Sequence, residues 1–342
     1  MPGFDYSAYF HRVQDMKKLQ VLRADVSWLE RYETPTEHHD NLLYLGCNIL
    51  RTPHIARQVV QVFEHLGLDF VAVGGIQYCC GIAWEAGKDT EKGQGVSKRT
   101  IGRMESYGPS RVIMWCPSCN VHFTDIVMGR DQQRPDFEIT HTPNFLAELA
   151  AGPDGLPWRQ EVNERVVLHA HAGRTDHPEG RRRSREDRDA VLSLLEAVPG
   201  LEVLDVLISE PEMDYDCGGA QQKLPQEVFR GNQRATLERA LALGADKVVT
   251  ISHACQREWC GENTGQLGFR NYISIVAEAL GLAVAPDILS MFRDGRSTGE
   301  IIEMSRPAWV SHGMTEEEAR AMVERYVASG DLSGFSAGVR GA

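Results

Sequence analysis

Long apolar runs are missing from this sequence. No window approaches eighteen uncharged apolar residues, so nothing in it reads as a membrane-spanning helix. The N-terminus, MPGFDYSAYFHRVQDMKK, has no apolar leader core, which points to a cytoplasmic protein. Basic charge is also in deficit. Lys and Arg number 36 against 48 Asp and Glu, a formal net charge of −12. Nucleic acids and anionic membranes select a basic footprint, and that balance argues against both. The one basic cluster, Arg181, Arg182, Arg183 and Arg185, is mixed with Glu179, Glu186 and Asp187. It reads as the solvated start of a helix, with docking to an acidic partner as the sharper alternative. There is no G-x-G-x-x-G, no Walker motif and no G-x-S-x-G elbow. Gly74-Gly75 and Gly218-Gly219 read as turns instead of phosphate cradles. What remains is ordinary globular material: 42% hydrophobic and 25% charged residues in 342. That is enough for one large domain or two of usual size.

Short β-branched runs alternate with amphipathic stretches. Strands are expected at Leu42–Leu45, Phe70–Val73, Arg111–Trp115, Arg165–His169, Leu201–Leu207 and Lys247–Ser252. Helices are expected at His54–His65, Gly95–Ser106, Asp187–Ala197, Pro225–Leu243 and Asn271–Leu280. Such alternation predicts α/β architecture, with parallel sheets covered by helices. The chain is also written twice. CCGIAWEAGKDTEKGQGVSKRTIGRMESYG (79–108) echoes DCGGAQQKLPQEVFRGNQRATLERALALG (216–244). GPSRVIMWCPSCNVHF (108–123) then aligns without a gap on GADKVVTISHACQREW (244–259), and LLYLGCNILRT (42–52) matches VVLHAHAGRT (166–175) more loosely. Two similar Rossmann-like halves related by a pseudo-two-fold, at 41–155 and 160–285, account for this repeat. Helical extensions at 1–40 and 286–342 flank them. In the second flank Thr315 and Glu318 make a capping-box pattern before a helix over Ala319–Ala328, with Gly330 as its stop. Trp309 lies in a loop-like segment, SRPAWVSHG, and reads as local packing or as a docking residue.

Eight cysteines in a reducing compartment are ligand or redox chemistry rather than a disulfide framework. Five fall in the first half: Cys47, thirty-one residues, Cys79-Cys80, thirty-five residues, then Cys116-Pro-Ser-Cys119. Each group follows a predicted strand, so the loops converge on one sheet edge, where open α/β folds bind ligands. Four thiolates suffice for a cubane cluster or a zinc ion. Five with an adjacent pair suit several metals of an extended cluster better than one tetrahedral ion. Gly81 permits a tight turn after the pair, and Pro117 restricts the last loop. Two plainer readings stay open: small buried hydrophobes, or a thioredoxin-like dithiol at Cys116 and Cys119.

The pattern Cys…Cys-Cys-Gly…Cys-Pro-x-Cys resembles the cysteine-rich CCG domain of the B-type subunit of heterodisulfide reductase and its relatives. Those relatives include the iron–sulfur subunits of glycolate and lactate oxidases and of sulfur-oxidising heterodisulfide-reductase-like complexes. The resemblance covers roughly residues 41–285. It implies a non-cubane [4Fe–4S] cluster held by Cys47, Cys79, Cys80, Cys116 and Cys119. It further implies sulfur chemistry beside Cys80, Gly81 and Cys116, in a pocket that His122 could line or merely pack.

In the second half the pattern decays. Cys80 corresponds to Cys217 and Cys119 to Cys255, but Cys79 becomes Asp216 and Cys116 becomes Ser252. Cys47 becomes Ala170 or its neighbours His169 and His171, and Cys260 lies beyond the motif. Three outcomes compete: a vacated scaffold, a cluster with unusual ligands, or a mononuclear zinc site. The zinc site would draw on His171, Asp216, Cys217, His253 and Cys255. With one intact motif, the resemblance points to the B-type subunit of a sulfur-oxidising complex. Its implied partners are a ferredoxin-like C-type subunit, a flavin-containing A-type subunit and a lipoylated carrier. The alternatives are an electron-transfer subunit of the glycolate- or lactate-oxidase type and a metal-stabilised scaffold. The chain lacks the Cys-x2-Cys-x2-Cys-x3-Cys-Pro ferredoxin runs that a fused electron conduit would carry.

Overall fold

The computed structural model describes residues 5–171, 178–208, 225–258, 267–284, 287–288, 291 and 295–329. Asp216, Cys217, Gly218, Gly219, Cys260 and Gly330 lie outside these residues. Two compact units are present: Met1–Phe145 with Arg306–Thr315, and Leu146–Ser305 with Glu316–Ser333.

The first unit is built on β1 (Asn41–Tyr44), β2 (Val71–Val73), β3 (Arg111–Met114) and β4 (Glu138–His141). All pair in parallel in the order β2-β1-β3-β4. Leu42, Leu43 and Tyr44 of β1 and Val112, Ile113 and Met114 of β3 are fully buried. Such runs belong to a parallel sheet covered on both faces, where each large apolar side chain contributes about 1.5–3 kcal/mol. Helices α3 (Pro53–His65), α4 (Ile82–Ala86), α5 (Thr90–Glu105) and α6 (Pro117–Val121) connect the strands, and α7 (Thr142–Ala151) follows β4. Ahead of β1 lie α1 (Tyr6–Asp15), α2 (Arg23–Val26) and two 3-10 turns, Met16–Leu19 and Ser27–Glu30. Asp5 caps α1 by accepting from the Ala8 amide at 3.0 Å. In this flank Lys17, almost fully buried, pairs with Glu30 at 2.6 Å.

The second unit repeats the plan with β5 (Arg165–Ala170), β6 (Glu202–Ile208), β7 (Lys247–Thr250) and β8 (Gly268–Asn271), parallel in the order β6-β5-β7-β8. Its helices are α8 (Pro178–Glu196), α9 (Gln226–Ala242), α10 (His253–Glu258) and α11 (Tyr272–Ala279). The arginine-rich stretch lies within α8, where Arg182 pairs with Glu186 one turn on.

Strands β4 and β8 escape the sequence reading because Glu-Ile-Thr-His and Gly-Phe-Arg-Asn each carry a single apolar side chain and so no apolar run. The C-terminal flank holds α12 (Thr298–Met304), α13 (Arg306–Ser311) and α14 (Glu316–Ser329). The loop-like SRPAWVSHG segment is helical over α13: Pro307 occupies the first turn, where a missing N–H costs nothing. Trp309 is buried there under the Arg306 guanidinium, so it is packing, not a docking residue. A complete capping box, unrecognised in the sequence, opens α12, where Ser297 and Glu300 bond reciprocally. Among the described residues no helix is long and apolar enough to cross a membrane.

Candidate metal centre

In each sheet the central pair of strands, β1 with β3 or β5 with β7, is where the strand order reverses. Loops leaving the carboxyl ends of such a pair form the ligand crevice of an open α/β fold. In the first unit Cys47 follows β1, Cys79-Cys80 follow β2, and Cys116 and Cys119 follow β3. All five are buried and free of disulfides. Their side chains form one contiguous group. Cys47 Sγ lies 3.8 Å from Cys79 Sγ. Cys79 and Cys119 both hydrogen-bond to Cys80, and Cys116 to Cys119.

Two glycines make this convergence possible. Gly46 has φ +73°, which favours glycine, and a Cβ there would crowd Cys119 Sγ at 3.0 Å. Gly81 has φ +95°, and a Cβ there would stand 2.6 Å from the Gly93 carbonyl of α5. Side chains behind the loops then fix their carbonyls. The Thr100 hydroxyl donates to Cys79 O at 2.6 Å, and the Ser97 hydroxyl to Cys80 O at 2.7 Å. The Tyr44 hydroxyl donates to Tyr78 O at 2.5 Å and stands 4.0 Å from Cys119 Sγ. His122 contacts Ser97 at 3.3 Å and is buried, which pushes its pKa down to about 4 and keeps it neutral. It packs behind the cysteine pair.

The electrostatics of the group follow from crowding thiols where water is absent. Hydrogen bonds from Cys119 and Cys79 hold Cys80 down at about 6 against burial. The others pay for that ionisation. Cys47 is raised well above its ordinary value by its bond to Cys79 and by burial, and Cys119 by Cys116 and Cys80 and by burial. The Arg51 guanidinium, buried over the Tyr9 ring, pulls Cys47 back only partly. Five thiolates cannot ionise together here without a compensating positive core. Among the described residues no three His, Cys, Asp or Glu side chains surround a single-ion position. Five buried thiols, two of them adjacent in sequence, suit a multinuclear thiolate-ligated group better than one tetrahedral ion.

The second edge is chemically different. His171, half-buried after β5, places Nε2 2.9 Å from Cys255 Sγ on α10. His169 lies edge-on to His171 with ring centroids 5.4 Å apart. His253 is buried at the start of α10, and Ser252 holds the Cys116 position. Thus the structure brings His171 onto Cys255, while Asp216 and Cys217 fall outside the described residues. Tyr44, Ser97 and Thr100 are site residues that sequence reading missed. Their positions look like ordinary core positions, and only the folded chain turns their hydroxyls toward the cysteine loops.

Comparison with known proteins agrees on the first unit. Residues 42–124 match the family CCG, a cysteine-rich domain. The chain is similar to the D-type subunit of the dihydromethanophenazine:CoB–CoM heterodisulfide reductase of Methanosarcina mazei, 23% identical over 254 residues, covering 71% of this chain and 59% of the relative. The Methanosarcina barkeri protein of the same name is 24% identical over 260 residues, covering 72% and 60%. The chain thus spans about 60% of the length of these curated relatives. A shorter match, 23% over 145 residues, covers 40% of this chain and 20% of the EtfAB:quinone oxidoreductase of Syntrophomonas wolfei. Among solved structures, the aspartate racemase of Picrophilus torridus covers 75% of this chain and 99% of its own at 8% identity, with a TM-score of 0.33, too distant to carry any chemistry across.

Proposed function

We propose that this chain, a member of the CCG cysteine-rich family through residues 42–124 and a relative of the D-type heterodisulfide reductase subunits, is an iron–sulfur redox subunit with one cluster. Its ligands are Cys47, Cys79, Cys80, Cys116 and Cys119. One observation carries the reading: five buried, disulfide-free thiols in a single hydrogen-bonded group at a sheet switch point. When bound, a non-cubane [4Fe–4S] cluster supplies one-electron chemistry and an iron that a substrate sulfur can approach.

The chain's own residues hold and shield that group. Thr100, Ser97 and Tyr44 fix the carbonyls of the Tyr78–Cys80 loop, and Gly46 keeps space for Cys119. Burial of every ligand excludes water. Cys80, Gly81 and Cys116 form the edge where a disulfide or persulfide substrate would approach. The first relatives are subunits by name, which supports partner subunits here; the partners proposed, from the resemblance of the cysteine pattern, are a ferredoxin-like C-type chain, a flavin-containing A-type chain and a lipoylated carrier. For the second edge the proposal is a mononuclear zinc site that includes His171 and Cys255, supported by their 2.9 Å contact.

Metal and acid-labile sulfide analysis of protein purified without oxygen tests the reading. A single cluster gives roughly four irons and four sulfides per chain. Roughly eight irons would restore a cluster to the second unit, and none in reconstituted protein would sink the proposal. The match to EtfAB:quinone oxidoreductase favours a second reading, an electron conduit with no substrate of its own. Re-oxidation of the reduced cluster by an organic disulfide separates the two: a conduit would not respond.

A further inference from the structure

Tyr44 closes β1, and every atom of its side chain is buried. Its ring packs edge-on to Phe123 at 5.7 Å. The hydroxyl sits between two of the three cysteine loops, donating at 2.5 Å to the carbonyl of Tyr78, which precedes the cysteine pair, and lying 4.0 Å from Cys119 Sγ. A phenol has one hydrogen to give. The Tyr78 carbonyl holds it in this structure, and the Cys119 sulfur at 4.0 Å is a second acceptor on the same hydroxyl.

We infer that Tyr44 is a positioning residue whose hydroxyl hydrogen-bonds Cys119 when the cluster is reduced and thereby raises the cluster's reduction potential. This rests on the reading that Cys119 ligates an iron–sulfur cluster. Reduction adds one electron to the cluster, supplied by the electron donor, and no bond is broken. The added negative charge spreads onto the thiolate sulfurs, which makes Cys119 the stronger acceptor. A donor that answers that charge stabilises the reduced form over the oxidised one. Ser97 and Thr100 donate to the Cys80 and Cys79 carbonyls, whereas the Tyr44 hydroxyl also lies 4.0 Å from a proposed ligand sulfur.

The test uses the full chain loaded with iron and sulfide, compared as wild type, Tyr44→Phe and Tyr107→Phe. The last variant removes a hydroxyl that lies 3.0 Å from the Tyr78 hydroxyl and does not face a cysteine. Iron and sulfide content, the EPR spectrum and the midpoint potential from mediated titration are read for each. The expected result is unchanged iron in all three, with a lower potential and shifted g-values in Tyr44→Phe alone. A loaded Tyr44→Phe protein with the wild-type potential and spectrum would overturn the inference while leaving the cluster intact. Equal shifts in both variants would overturn it too, since the effect would then be general packing. If Tyr44→Phe does not fold, wild type in D2O decides. Deuterium ENDOR on the reduced cluster is expected to show a coupled hydroxyl deuteron, and its absence overturns the inference. Absence of iron in wild type would instead defeat the reading beneath it.

Discussion

The two sheet edges make a controlled comparison, since both arise from four parallel strands in the same order. The first gathers five thiols and lines them with a left-handed glycine and backbone-anchoring hydroxyls. The second, in the same frame, presents a His171–Cys255 contact with His169 and His253 nearby in sequence. The scaffold therefore supplies convergence in both units, and the side chains alone decide what converges. A soft, multi-thiolate donor set and a mixed Cys/His set select different metals on chemistry, not on fold.

The sharpest break in that comparison comes from removing ligands one edge at a time. Cys80→Ala, or Cys116→Ser, is expected to strip iron from roughly four per chain to near zero, while Cys255→Ser leaves iron unchanged. Elemental analysis of the three proteins reads this directly. Iron lost equally from Cys255→Ser would erase the proposed asymmetry. On the second edge, His171→Ala and Cys255→Ser are each expected to lose any zinc present in wild type.

Backbone geometry comes next in size. Gly81→Ala is expected to cost about 3 kcal/mol, because it forces an L-residue to φ +95° and drives a methyl into the Gly93 carbonyl. Urea unfolding of the metal-free chain measures it, and a loss below the error of the fit would mean the turn relaxes.

The flank before β1 supplies a pH signal in the first unit. Burial works against the Glu30 carboxylate, but the Lys17 ammonium at 2.6 Å outweighs it and holds the pKa below the ordinary value. The pair therefore stabilises the fold above the ordinary carboxylate range, and the contribution fades as pH falls through the folded value. Glu30→Gln is expected to be less stable than wild type at pH 7 by about 1–2 kcal/mol, with the gap closing below roughly pH 4. Melting curves across pH 3–7 check the convergence; a gap that persists at the acid end would assign the loss to packing.

The smallest effect has the opposite sign and lies in the second unit. Gly231 is inside α9, and a Cβ there meets nothing within 4 Å. Gly231→Ala is expected to stabilise by about 0.5–1 kcal/mol by favouring the helix.

Most of the architecture was legible before folding because it rests on local periodicity. The β1 and β3 runs, the amphipathic stretch of α3 and the gapless match of 108–123 to 244–259 need no tertiary information. Edge strands β4 and β8 were not legible, since each carries a single apolar side chain among polar ones, whereas the equally short β2 is an apolar run. Trp309 misled for a related reason: Pro307 looks like a breaker, yet it is harmless in a first helical turn.

For the candidate centre, the cysteine spacing pointed to the residues that could serve as donors, because thiolate chemistry depends on residue type and strand-end loops converge in any such sheet. Tertiary structure decided what surrounds them. Whether a hydroxyl at position 44, 97 or 100 faces a sulfur, a carbonyl or nothing depends on distances between segments more than thirty residues apart for Tyr44 and about twenty for Ser97 and Thr100. No local pattern encodes such distances. They are set when the sheet packs and the glycine turns bring the loops within hydrogen-bond reach.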